Sequence, residues 1–187
     1  MTTEGADFFT TARLRARPFR PSDVDAFVAY RADPDVERYQ DWSDFTLERG
    51  RAFIEAQVGD RPGVPGEWYQ FALERTAGHD LVGDVALHVD ADEPRQAEIG
   101  VTLAPAHQGR GYGTEAVRGL LDYAFGTFGL HRVVAIADER NLPSQRLLER
   151  VGLRREAHFL ESTFFKGAWS SELLFAMLDR EWALLDR

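Results

Sequence analysis

The sequence predicts an α+β fold: a mostly antiparallel sheet of about seven strands, with a strand, a glycine cluster and a long helix in succession at its middle. Three observations carry this expectation. Two runs of strand type, Trp68 to Glu74 and Leu81 to Asp90, have only Thr76-Ala77-Gly78-His79 at the gap between them, the spacing of an antiparallel hairpin. Val117, Leu120, Leu121, Ala124, Phe125 and Phe128 fall at steps of three, one, three, one and three, a single face of a helix. A length of 187 residues with 44% hydrophobic content suffices to bury one core but leaves little room for a separate cofactor module. One domain is therefore expected over residues 1–187, with its core from about 12 to 182.

The elements follow in order. Alternation in Ala12-Arg13-Leu14-Arg15-Ala16-Arg17 predicts a first strand. Ser22, after Pro21, is the expected cap of a helix running to about Ala32, with Asp25 at its third position and Phe27, Val28 and Tyr30 among its apolar residues. Asp33-Pro34-Asp35 is expected to break that helix, because a residue before proline is driven out of helical geometry. Thr46 caps a second helix with Leu47, Phe53 and Ile54 on one side, and residues 60–66, rich in proline and glycine, form loop. After the hairpin, Glu98 to Ala104 is a strand ended by Pro105, and Gly129 stops the long helix. Val133 to Ala137 is apolar without alternation, which predicts a central strand buried on both faces. A short helix from about Pro143 to Arg150 and strands near Leu153 to Glu161 and Ser171 to Leu178 complete the chain.

Composition removes several functions. Thirty-one acidic against 22 basic residues give a formal charge of −9, a field that repels phosphate backbones, so no nucleic-acid partner is expected. The absence of cysteine excludes disulfides, thiolate metal sites and an acyl-cysteine intermediate, and no metal cofactor is expected. No apolar run approaches the roughly 20 residues of a membrane span, and the acidic start lacks a signal-peptide core. Neither a membrane partner nor export is expected, and the default location is cytoplasmic.

The informative motif is Gln108-Gly109-Arg110-Gly111-Tyr112-Gly113-Thr114, between a strand and the long helix. Alternating glycines allow a loop whose N–H groups point outward, and a helix start adds unpaired donors and about half a positive charge. Together they suit a pyrophosphate; the plain alternative is a tight turn. No Gly-Lys-Ser/Thr follows, and the loop comes after at least three strands with the wrong spacing for a dinucleotide fingerprint.

Gln108 to Ala116 resembles the acetyl-CoA pyrophosphate motif of the GNAT N-acetyltransferases. Ala97 to Pro105 resembles the strand before that motif, Asn141-Leu142-Pro143-Ser144 and the residues to Leu153 resemble the helix after the next strand, and Lys166-Gly167-Ala168-Trp169 with Glu181-Trp182 is similar to the RimJ/RimL-like branch. That branch acetylates protein N-terminal amines among others. The resemblance covers about Leu14 to Trp182. It implies a GNAT-like fold in which the mixed sheet is splayed and carries helices on both faces. The pantetheine arm would enter between two parting strands and pair with main-chain groups near Val101 and Leu103. Gln108, Gly109, Arg110, Gly111, Tyr112, Gly113 and Thr114 would hold the pyrophosphate, and Asn141 would lie near the arm. A homodimer is implied on the same ground alone.

The implied reaction is direct attack of an amine on the thioester of acetyl-CoA, which requires a neutral amine, a polarised carbonyl and a proton or donor for the departing thiolate. Many relatives use a tyrosine for the last task, and Leu148 stands at its place here. Ser144 is the candidate in its stead, with helix capping as its other reading. Glu98, flanked by Ala97 and Ile99, is a candidate base with a raised pKa or else a structural acceptor. His158, at a position where the RimL-like enzyme carries a glutamate, is the other candidate, or else a solvated strand residue. Tyr39, Trp42 and Phe45 lie where the family builds its acceptor wall, and aromatic faces with Asp41 and Asp44 suit an ammonium ion; core packing and a dimer contact are the alternatives. Deprotonating a lysine-like amine at pH 7 costs about 4.6 kcal/mol, an α-amine only about 1.1. Weak bases therefore point to the α-amine of a protein N-terminus or an amino-acid-like acceptor. A small amine such as a polyamine or aminoglycoside, or a non-catalytic acyl-CoA-binding role, are the competing functions.

Overall fold

A computed structural model describes residues 6–185 and shows eight strands in one sheet. They are β1 (Phe9–Thr10), β2 (Leu14–Arg17), β3 (Trp68–Arg75), β4 (Leu81–Val89), β5 (Gln96–Leu103), β6 (Arg132–Asp138), β7 (Arg154–Phe165) and β8 (Ala168–Leu178). The order is β1-β2-β3-β4-β5-β6-β8-β7, and every pairing is antiparallel except β5 with β6. The helices are α1 (Val24–Arg31), α2 (Pro34–Glu37), α3 (Leu47–Ala56), α4 (Tyr112–Phe128), α5 (Leu142–Val151) and α6 (Asp179–Leu184). This is the expected α+β architecture with one strand more. β1 is two residues long, too short to show any alternation.

The two faces of the sheet have separate cores. Val117, Leu120, Leu121 and Ala124 of α4 pack with Leu148 and Val151 of α5 on one side, the face that the apolar periodicity marks out. Phe27 and Tyr30 of α1 join Ile54 of α3 on the other, against Ala72 and Leu81. Among the described residues no helix is long and apolar enough to cross a membrane.

Several local expectations hold and several are corrected. Thr46 caps α3 by accepting from the Arg49 N–H at 3.2 Å, and Gly129 ends α4 at φ 62°. Ser22 caps nothing among the described residues. Asp23 stands at the head of α1 but makes no side-chain cap bond to it; its carboxylate accepts from the Arg20 N–H at 2.7 Å and pairs with buried Arg17 at 2.7 Å. Asp33-Pro34-Asp35 ends α1 but also starts α2: Asp33 accepts from the N–H groups of Asp35 (2.9 Å) and Val36 (3.4 Å), and proline fits a first helical turn because no N–H is needed there. β6 is not buried on both faces. Val133, Ala135 and Ala137 are buried, whereas Ile136 is 41% exposed because that side opens on a cleft. β7 passes a bulge and reaches Phe165, and Lys166-Gly167, at φ 48° and 83°, turn it into β8.

Candidate active site

β5 and β6 pair only from Gln96–Arg132 to Glu98–Val134, then part. Alternation of hydrogen bonds decides what β5 turns into the gap. The Asp90 N–H donates to the Gln96 carbonyl and the Ala104 N–H to that of Val82, both at 2.9 Å, so the even-numbered residues of β5 bond to β4. The odd-numbered ones face β6, and beyond Glu98 they face no strand. Main-chain groups of Val101 and Leu103 therefore border the gap, although the Leu103 carbonyl accepts from Gln108 Nε2 at 3.0 Å.

A cleft of about 920 Å³ runs through this gap. Gln108, Gly109, Gly111, Gly113 and Thr114 line one end, Val101, Leu103 and Ile136 its middle, and Tyr39, Asp138, Asn141 and Ser144 the rest. Sequence reasoning brings most of these together; it misses Asp138, together with Asp35, Arg38 and Gln40 around α2. Asp33-Pro34, a cap followed by proline, is the signal that would have announced α2.

The loop fits an anion. Gly109 and Gly111 stand at φ 71° and 82°, a region that other residues enter only at a cost. The first backbone hydrogen bond of α4 is from the Glu115 N–H to the Gly111 carbonyl at 3.1 Å. The six N–H groups of residues 109–114 have no acceptor among the described residues. Unpaired and at a helix start, with Gly109, Gly111, Gly113 and Thr114 on the cleft, they form a ready anion cradle. Its outer side is braced by Arg13, which donates to the Arg110 carbonyl (3.1 Å) and to Glu115 (2.6 Å) and lies over the Tyr112 ring at 4.5 Å. Tyr112 is thus buried and stands outside the cleft lining. The Arg110 side chain is exposed outside the lining.

The catalytic candidates divide. Asn141 caps α5 by accepting from the Ser144 N–H at 3.2 Å, so the cap does not depend on Ser144. The Ser144 hydroxyl borders the cleft with no hydrogen-bond partner among the described residues. Glu98 sits half-buried at the vertex where the strands part. Burial pushes its carboxyl above the ordinary 4.5, its cross-strand neighbour His88 opposes the rise and Glu172 adds to it. His158 does not reach the cleft: its Nε2 lies 2.9 Å from Glu139 on the exposed side of β7. Asp138 is a poor proton acceptor. Hydrogen bonds from Arg140 hold it down to about 2 against burial, and the Ser170 hydroxyl at 2.5 Å helps.

The aromatic wall is partly occupied by the chain itself. Tyr39 lines the cleft and donates to the Arg140 carbonyl at 3.3 Å. Trp42 and Phe45 instead hold Arg31, whose guanidinium lies 4.0 Å from the Trp42 ring and 5.6 Å from that of Phe45. Arg31 also contacts Phe27 and Phe53 and pairs with buried Asp84 at 3.2 Å, and its carbonyl accepts from Trp42 Nε1 at 3.0 Å. These rings do bind a cation, but an internal one. Lys166 Nζ at the β7–β8 turn donates to the Glu37 carbonyl at 2.7 Å.

Among known families, the one described as Acetyltransferase (GNAT) domain matches residues 13–154. The uncharacterized N-acetyltransferase YnaD of Bacillus subtilis is 31% identical across 92% of this chain and 98% of its own. A spermidine N(1)-acetyltransferase of Vibrio cholerae is 32% identical, across 54% of this chain and 57% of its own. Of solved structures, a GNAT-family acetyltransferase from Bacillus anthracis superposes with a TM-score of 0.84 at 31% identity, covering 92% of this chain and 99% of that one. Mycobacterium smegmatis RimJ, in complex with CoA-disulfide, gives 0.78 at 25% identity, covering 90% and 83%.

Proposed function

Since this chain belongs to the GNAT acetyltransferase family and is an acetyl-CoA-dependent N-acetyltransferase, we propose that it acetylates the α-amine of a protein N-terminus or of an amino-acid-like acceptor. The observation that carries this reading is one cleft that joins a cradle of free N–H groups at its cofactor end to an acceptor end without a strong base. Of the two carboxylates that line the cleft, Asp138 is locked as an ion and Asp35 pairs with Arg38 at 2.6 Å, and Glu98 stands back at the vertex. Such a site favours an amine that is cheap to deprotonate, the α-amine at about 1.1 kcal/mol rather than the lysine type at about 4.6.

In this reading the amides of residues 109–114 hold the pyrophosphate of acetyl-CoA and the free groups of Val101 hold its arm. The arginine at Arg110 contributes charge rather than contact. Glu98 takes a proton from the incoming ammonium through water and passes it to solvent. The nitrogen lone pair forms the C–N bond, the C–S bond breaks, and the sulfur takes the Ser144 hydroxyl proton. The second proton leaving the nitrogen restores the serine, so atoms and charge balance with one proton released. Tyr39 flanks the acceptor; Trp42 and Phe45 shape that wall through Arg31.

A polyamine acceptor is the second reading, favoured by the Vibrio cholerae relative. Release of free CoA thiol from acetyl-CoA, with short N-terminal peptides, free amino acids and spermidine compared at equal concentration, separates the two. Peptides or amino acids should give the higher kcat/KM. Spermidine giving it overturns the α-amine assignment, and no release with any amine overturns the acetyl-transfer scheme for this cleft.

A further inference from the structure

The sheet is close to being two sheets. β5 and β6 share only three residue pairs, and α1 and α3 pack on the β1–β5 side, where Phe27, Tyr30 and Ile54 meet Ala72 and Leu81. The segment between those two helices nevertheless supplies one wall of the cleft, through Asp35, Val36, Arg38, Tyr39 and Gln40. α2, within it, is a single turn of four residues, far below the roughly 12–15 at which a helix begins to hold by itself. Two hydrogen bonds, among the described residues, hold this segment from the β6–β8 side. The Tyr39 hydroxyl donates to the Arg140 carbonyl at 3.3 Å, and Lys166 Nζ donates to the Glu37 carbonyl at 2.7 Å.

Lys166 is the single lysine of the chain, the other 21 basic residues being arginine. It stands beside Gly167 at the β7–β8 turn, at φ 48°, a region that residues with a side chain rarely enter. Its ammonium meets three groups. Besides the Glu37 carbonyl, one that a helix end leaves without an intrahelical partner, it lies 3.5 Å from the carboxylate of the same residue and 5.4 Å from the centre of the Phe165 ring. The Glu37 carboxylate in turn accepts from the Asp44 N–H at 3.1 Å, so the contact fixes the chain on both sides of Tyr39. An ammonium with three rotatable donors serves a carbonyl and a carboxylate that lie in different directions, which a planar guanidinium fork does less well.

We propose that Lys166 is a positioning residue for the amine acceptor: it fastens α2 to the β7–β8 turn and so fixes the wall, from Asp35 to Gln40, against which the amine is held. The inference rests on the acetyl-transfer reading above and applies whichever amine is the acceptor. No hydrogen bond joins Lys166 to the glycine loop among the described residues, so its loss acts on the acceptor and spares acetyl-CoA.

Lys166→Met keeps the stem and removes the ammonium. It should raise the KM of the acceptor amine about 3- to 10-fold, the worth of one charge-assisted hydrogen bond discounted for a lysine side chain that is 28% exposed. Both kcat and the calorimetric Kd of acetyl-CoA should stay within about twofold of wild type. Because no other lysine competes, N-hydroxysuccinimidyl acetate makes the same test on the folded wild-type protein. Its amine targets are Lys166 and the terminal amine, and treatment should reproduce the rise in KM, whereas treated and untreated Lys166→Met should be alike. An acceptor KM within about twofold of wild type in either the variant or the acetylated protein overturns the positioning role. So does a Kd for acetyl-CoA that rises by the same factor as the KM, the mark of a general loosening. Absence of turnover by the wild-type protein with any amine overturns the acetyl-transfer reading itself, and the inference falls with it.

Discussion

Gly111→Val separates the backbone role of the glycine loop from its space. Gly111 stands at φ 82°, ψ −1° at the start of α4. A Cβ there would lie 3.3 Å from Arg13 Nη2, the movable end of a long side chain, so there is room for a larger residue. The obstacle is conformational: the left-handed region costs a non-glycine residue about 1–2 kcal/mol. Valine relieves that strain by rotating the peptide, which turns the neighbouring N–H groups out of the cradle. Loss of two hydrogen bonds to a charged group, at about 1.5–3 kcal/mol each, weakens acetyl-CoA binding by roughly 10² to 10⁴. Gly129→Val is the control. Gly129 lies at φ 62° with no atom within 4 Å of its added Cβ, at the opposite end of the same helix. Both variants should melt about 2–8 °C below wild type, at some 2–4 °C per kcal/mol for a chain of this length. Calorimetry with acetyl-CoA should show the binding loss in Gly111→Val alone. An affinity within about threefold of wild type, well inside one hydrogen bond's worth, would refute the cradle.

Other consequences are equally direct. Because burial raises the Glu98 carboxyl, the folded state disfavours its charged form, and stability falls as pH rises from the ordinary 4.5 through the raised value. Glu98→Gln should therefore melt above wild type at pH 7, with the difference closing below pH 4.5, and should remove the ascending limb of kcat/KM against pH; an unaltered limb dismisses Glu98 as base. Ser144→Ala should lower kcat by about 10²-fold, with the KM for acetyl-CoA unchanged, if the hydroxyl serves the leaving thiolate. Asn141 already caps α5, so the melting temperature should stay put, and a near-normal kcat leaves Ser144 without a chemical role. Arg31→Leu strands the Asp84 carboxylate, whose side chain is 3% exposed, at about 3–5 kcal/mol, or some 6–20 °C in melting temperature; a shift below 2 °C would contradict the buried pair.

The local signals in the chain translate directly. The 3.6-residue period of Val117 to Phe128 becomes the buried face of α4, Thr46 and Gly129 mark the helix ends they promise, and the short gap before Leu81 makes the β3–β4 hairpin. Each rests on residues within a few positions of one another. The errors at Ser22 and Asp33 are also local: Asp23 rather than Ser22 stands at the head of α1, and Asp33 both ends one helix and begins the next.

The candidate site divides along the same line. By itself the sequence determined the glycine loop, its place between a strand and the long helix, and the exclusion of thiol chemistry, because positive φ, helix starts and composition are properties of adjacent residues. Tertiary structure alone decided that β6 leaves β5 after Glu98, which bares Val101 and exposes Ile136. It also set His158 against Glu139, took Trp42 and Phe45 for Arg31, and brought Lys166 to Glu37. The reason is physical. A strand edge goes unpaired, or a guanidinium finds its partner, according to groups that lie far apart in sequence, such as Arg31 and Asp84, and meet only when the sheet has formed.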